Sequence, residues 1–178
     1  MRRACVLFLM AATSPLAAVD PGGTAATRAR FIARHRCAIV ARLDAMHRRG
    51  PVGESRDRFI IVALRGERQR YVQCIFHARD TRMFCEASSG AYGPAGDGRL
   101  RLGAAEQAAL RALGYVQASP RENFARDVEM GDPPDFTIVA DQMLSALHDG
   151  YGARPESVIE ITAPHGGDPG AICNTPES

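Results

Sequence analysis

The sequence predicts an α+β fold: a small antiparallel sheet (a three-strand meander plus one or two further strands) packed by three helices, in the order α-β-β-β-α-β-α-(β). Three observations predict it. Residues Arg58 to Ala87 alternate runs rich in Val, Ile, Phe and Tyr with turns centred on Gly66-Glu67 and Arg79-Asp80, the pattern of neighbouring strands. The segments 28–49 and 136–149 instead repeat apolar residues at the spacing of one helix face. The chain's 178 residues, 46% hydrophobic and 24% charged, are enough for one compact domain with a buried core.

In chain order, Met1 to Ala18 (MRRACVLFLMAATSPLAA) has the make-up of a short signal peptide. Arg2 and Arg3 are followed by an apolar run from Ala4 to Ala12 and a small-residue end at Ala17-Ala18. The run is too short for a membrane-spanning helix, which needs about 20 apolar residues. Pro15 and Leu16 stand at the −3 position of the two obvious cleavage sites, so a cytoplasmic chain with a misassigned start fits the same residues. Asp20 to Thr27 (DPGGTAAT) has the composition of a flexible linker. The expected division is therefore leader and linker over 1–27, an α+β domain over 28–162, and a disordered tail over 163–178.

The first helix is expected over Arg28–Arg49. Phe31, Ile32, Ile39, Leu43 and Met46 form one stripe, with His35 and Ala38 between them; Arg28, Arg30, Arg34, Arg36 and Arg42 fill much of the remainder. Gly50-Pro51 ends it. In the meander, taking Arg79 and Asp80 as the loop pairs Ala78 with Thr81, Phe76 with Met83, Cys74 with Cys85 and Val72 with Ala87, and one face becomes wholly apolar. The other face carries His77 opposite Arg82 and Gln73 opposite Glu86, with Ile75 and Phe84 between. Phe59, Ile61 and Ala63 of the first strand are assigned to the apolar face. Ser88 to Gly98 is a Gly-rich loop without the Lys-Ser/Thr of a phosphate-binding loop. Leu102–Gly114 forms a second helix with Leu110 and Leu113 inward, and Asn123–Met130 a fourth strand. Asp132 is read as the cap of the last helix, with Pro133 in its first turn and Asp135 favouring its positive end. That helix runs to about Asp149, burying Phe136, Val139, Ala140, Met143, Leu144 and Leu147, and Val158–Ile161 is a final short strand.

All 22 basic residues are arginine, and their distribution is uneven. Seven Arg against one Asp give 28–49 a local charge of +6, whereas ten acids against four Arg give 103–160 a local charge of −6. An Arg-rich helix suggests nucleic-acid binding as one alternative. The competing reading is a solvated face or a partner for the acidic half, and the remaining chain is not basic. Of the five cysteines, none forms a CxxC, which removes zinc-ribbon and thioredoxin readings. Cys74 and Cys85 face one another, as a disulfide if the chain is exported or as two reduced, buried thiols, the plainer reading. A Cys/His enzyme is a minor alternative: Cys74 and His77 lie three apart on one strand and so point to opposite faces. No paired-carboxylate, G-x-S-x-G or H-E-x-x-H motif is present.

The element order and several short motifs resemble the TY-Chap domain, which groups YbjN-like proteins with type III secretion chaperones. The residues carrying the likeness are Tyr71-Val72-Gln73, Glu106 to Tyr115 (EQAALRALGY), Asn123-Phe124, and Val139 to Gly152 with its closing Tyr151-Gly152. It covers roughly 28–162. Two departures are Gly103 at a capping position where the family is richer in Ser or Thr, and the leader-like start in a family of mostly cytoplasmic members. The resemblance implies a non-enzymatic module that binds a peptide or protein segment, often as a homodimer, with no cofactor and no catalytic residues. It also favours the cytoplasm, with the periplasm or secretion as the alternative if 1–18 is a leader. Such a sheet leaves an edge or a face for an extended partner. Tyr71, Gln73, Ile75, Phe84 and Glu86, on its second face, are the predicted peptide contacts; the competing reading buries Tyr71, Ile75 and Phe84 beneath a helix.

Overall fold

The computed structural model describes residues 21–50, 58–67, 69–164, 166–167 and 173. Helix α1 (Pro21–Arg49) is followed by strands β1 (Phe59–Leu64), β2 (Tyr71–His77) and β3 (Arg82–Ala87). Helix α2 (Ala104–Ala112), strand β4 (Phe124–Glu129), helix α3 (Phe136–Ser145) and strand β5 (Ile159–Thr162) complete the chain. The strands make one antiparallel sheet in the order β4-β3-β2-β1-β5, so the predicted α+β class and element order hold. The signal-peptide residues Met1–Ala18 lie outside the described residues.

The β2–β3 hairpin has the register that its alternation and loop residues dictate: Val72 pairs with Ala87, Cys74 with Cys85, Phe76 with Met83 and His77 with Arg82. The ladder ends at His77–Arg82, so Ala78 and Thr81 stand in the loop beyond it. Arg79 and Asp80 take left-handed conformations at φ 56° and 68°, which lets the chain reverse tightly. Asp80 then accepts both arms of the Arg58 guanidinium at 2.6 and 2.5 Å, and Arg58 lies 4.6 Å over the Phe76 ring. The start of β1 is thereby tied to the hairpin loop.

On β1 the register differs from expectation by one residue. Ile60, Val62 and Leu64 are buried, with Ile60 and Val62 paired to the core-facing Cys74 and Val72 of β2 and Leu64 to Ile159 of β5, while Phe59, Ile61 and Ala63 point to the other face. FIIVAL is apolar at every position, so its own pattern does not choose between the two settings; pairing with β2 and β5 does.

One face of the sheet packs against the helices in a single core. Phe31, Ile39, Leu43 and Met46 of α1 enter it as the predicted stripe, with Leu110 of α2 and Val139, Ala140, Met143 and Leu144 of α3. Three boundaries move. Helix α1 begins at Pro21, so 21–27 is helical and not linker: Pro suits a first helical turn, and Ala25 and Ala26 are strong helix formers. Helix α3 is capped by Asp135 rather than Asp132, its carboxylate accepting the Thr137 N–H at 2.9 Å. Beyond Ser145 the helix continues as one wider π turn over Ala146–Gly150.

All four cysteines among the described residues are oxidised: Cys74 is bonded to Cys85 and Cys37 to Cys173. The second bridge joins α1 to a segment that composition alone marks as a free tail. Gly166 is buried there as well, close to Arg42 of α1.

Candidate functional site

The outer face of the sheet, away from the helices, follows from the register. A row of cross-strand partners runs Phe59, Ile75, Phe84, Asp127 across β1, β2, β3 and β4. The next row runs Thr162, Ile61, Gln73, Glu86, Ala125 from β5 to β4. Among the described residues nothing seals this face: Phe84 is 40% exposed, and Phe59, Ile61 and Ile75 are only half-buried. These large apolar side chains form one contiguous, partly exposed patch on the sheet face.

A shallow depression on this face is lined by Phe59, Ile61, Gln73, Ile75, Phe84 and Glu86. Four of the five predicted contacts, Gln73, Ile75, Phe84 and Glu86, therefore come together. Tyr71 shares the face, opposite Ala63, but does not line the depression. Among the described residues no helix covers these side chains. Phe59 and Ile61 are missed by the sequence reading because it turns β1 the other way; the one available signal was that both faces of FIIVAL are apolar. Gln73 donates its amide to the Glu86 carboxylate at 2.6 Å, fixing the polar end of the floor.

The reactive groups suggested by sequence lie elsewhere or are occupied. Cys74 faces the core in its disulfide, and His77 is exposed on the opposite face, so no thiol–imidazole pair forms there. The Arg-rich face of α1 is largely paired within the fold: Arg36 bonds Asp141 at 2.8 Å and Arg28 reaches Asp149 at 3.3 Å. Those two partners are acids of the negative half, whereas Arg34 donates to the Pro155 carbonyl and Arg48 pairs with Asp44 of α1 itself. No helix of the described residues is long and apolar enough to cross a membrane.

The short motifs noted in the sequence act as locks. Tyr151, almost wholly buried, donates its hydroxyl to the Ser88 carbonyl at 2.7 Å, and burial pushes its pKa well above the ordinary value. Asn123 accepts the Ser89 N–H at 3.1 Å. Tyr115 is buried beneath the Arg126 guanidinium, and burial raises its pKa too. Arg126 in turn donates to the Leu113 carbonyl at the end of α2. These contacts hold the 88–100 loop and the helix ends in place, which shapes the fold without supplying a reactive centre.

A family model described as "TY-Chap3: T3SS (YopN, CesT) and YbjN peptide-binding chaperone 3" matches residues 33–165, most of the chain. No curated protein matches it, and no solved structure does.

Proposed function

We propose, since the chain belongs to the TY-Chap3 family of peptide-binding chaperones, that it is a non-enzymatic chaperone-like or adaptor module holding a peptide or protein segment on its outer sheet face. The observation that carries this reading is the uncovered depression formed by Phe59, Ile61, Ile75 and Phe84. Apolar side chains left in water at about 25 cal/mol per Å² favour a partner that covers them. A peptide array probed with the protein tests the reading. Phe84→Asp, which changes an exposed side chain, should abolish binding of the retained peptides while leaving Tm within a few degrees. Retention undiminished by Phe84→Asp and by Ile75→Asp would remove this face from the account.

The two disulfides support residence in an oxidising compartment over the cytoplasmic expectation, because reducing cytosol seldom permits them. The leader-like Met1–Ala18 agrees with that. Alkylation of the freshly purified, unreduced protein followed by intact-mass measurement should leave Cys37, Cys74, Cys85 and Cys173 unmodified. Full alkylation of these four after denaturation would restore the cytoplasmic reading.

A further inference from the structure

We propose that the outer face is charge-selective and takes a cationic amphipathic segment of another protein, its apolar side chains over the depression and an Arg or Lys at the β4 end. This rests on the peptide-binding reading and specifies the ligand class. Among the described residues, the strands place Arg82, Glu86, Asp127, Glu129 and Glu160 on that face. Arg82 pairs with Glu129 at 2.7 Å, and Arg65 from the turn after β1 pairs with Glu160 at 3.1 Å.

Glu86 and Asp127 are left with no cationic partner among the described residues. Glu86 has only the Gln73 amide, and Asp127 is exposed. The two are diagonal neighbours, because Glu86 pairs with Ala125 and Phe84 with Asp127. Diagonal positions on one face lie about 7–8 Å apart, close enough for like charges to repel. They flank Phe84: Asp127 ends its row, and Glu86 stands beside it in the next. The whole chain carries +2, which makes this a local departure and not a general trend.

A ligand with apolar groups alone leaves both carboxylates uncompensated and partly desolvated, which is costly. One ending in a guanidinium or ammonium relieves their repulsion. A second copy of this chain fits less well. Among the described residues its arginines near this face, Arg82 and Arg65, are already paired with Glu129 and Glu160, so a second copy brings more carboxylates and no unpaired cation to meet them.

The test uses the full chain with its disulfides intact and a fluorescein-labelled decapeptide alternating Ile and Phe with Arg. Controls carry Gln or Glu in place of Arg, and binding is read by fluorescence anisotropy. The Arg peptide should bind at least tenfold tighter than the Gln peptide, and its affinity should fall as salt is raised. The double variant Glu86→Gln, Asp127→Asn should bind the Arg peptide no more tightly than it binds the Gln peptide and should lose the salt dependence. Equal binding of all three peptides, abolished by Phe84→Asp, overturns the charge inference while leaving the peptide-binding reading intact. Tightest binding by the Glu peptide does the same. If no peptide binds and Phe84→Asp alters nothing, both readings fall. A doubled mass in light scattering that Phe84→Asp returns to the monomer value would show that a second copy occupies the face.

Discussion

His35 shows how one residue's surroundings set a measurable property. It sits on α1 beside Phe31, with ring centroids 4.9 Å apart, and its Nε2 lies 3.1 Å from the Ser157 carbonyl. A carbonyl can only accept, so Nε2 carries the proton and donates. Burial holds the imidazole pKa below the ordinary 6.5, and Arg34 adds to the effect, against a smaller opposing pull from the Ser157 carbonyl. The unfolded chain therefore takes up a proton near pH 6.5 that the folded chain accepts only at lower pH. This contribution to stability is whole above that value and is lost as pH falls through the window beneath it. Thermal melts from pH 7.5 to 5 should show a steeper acid-side fall for the native chain than for His35→Gln. Parallel curves would contradict the assignment. The sequence places His35 on the inward side of the stripe, but its partner Ser157 lies 122 residues away, where periodicity has no reach.

At the scale of elements, what the sequence reveals depends on whether its pattern breaks symmetry. The β2–β3 hairpin was legible because polar and apolar residues alternate on both sides of a loop marked by Arg79-Asp80. β1 was not, since every residue of FIIVAL suits either face, and the error removed Phe59 and Ile61 from the expected site. The cap of α3 was ambiguous in the same way: two Asp flank two Pro, and only the Thr137 N–H decides for Asp135. The π turn after α3 left no trace in the apolar spacing, yet it sets how α2 docks. A Cβ on Gly150 would lie 2.6 Å from Cδ2 of Leu110, which is wholly buried and cannot swing aside. Gly→Ala inside a helical turn is ordinarily stabilising by about 0.5–1 kcal/mol. Overpacking a filled core costs about 1–3 kcal/mol and should prevail. Gly150→Ala is accordingly expected to lower Tm by several degrees; a raised Tm would contradict this close fit of α2 on the π turn.

For the molecule as a whole, the segregated charges, the covalent links and the open face describe one design. Basic α1 is joined to the acidic half by Arg36–Asp141 and Arg28–Asp149. The Cys74–Cys85 bridge lay within reach of the sequence as a juxtaposition, though its oxidation did not. The Cys37–Cys173 bridge, 136 residues apart, had no local signal at all. Helices and core occupy one side of the sheet, and the other side, uncovered among the described residues, is the face proposed for a partner. Amide chemical-shift mapping tests that division most directly, using the tightest-binding peptide from an array titrated into the isotope-labelled chain. The largest shifts should fall on Phe59, Ile61, Gln73, Ile75, Phe84 and Glu86, with α1 unperturbed. Shifts concentrated on α1 or α2, with the sheet face silent, would contradict it.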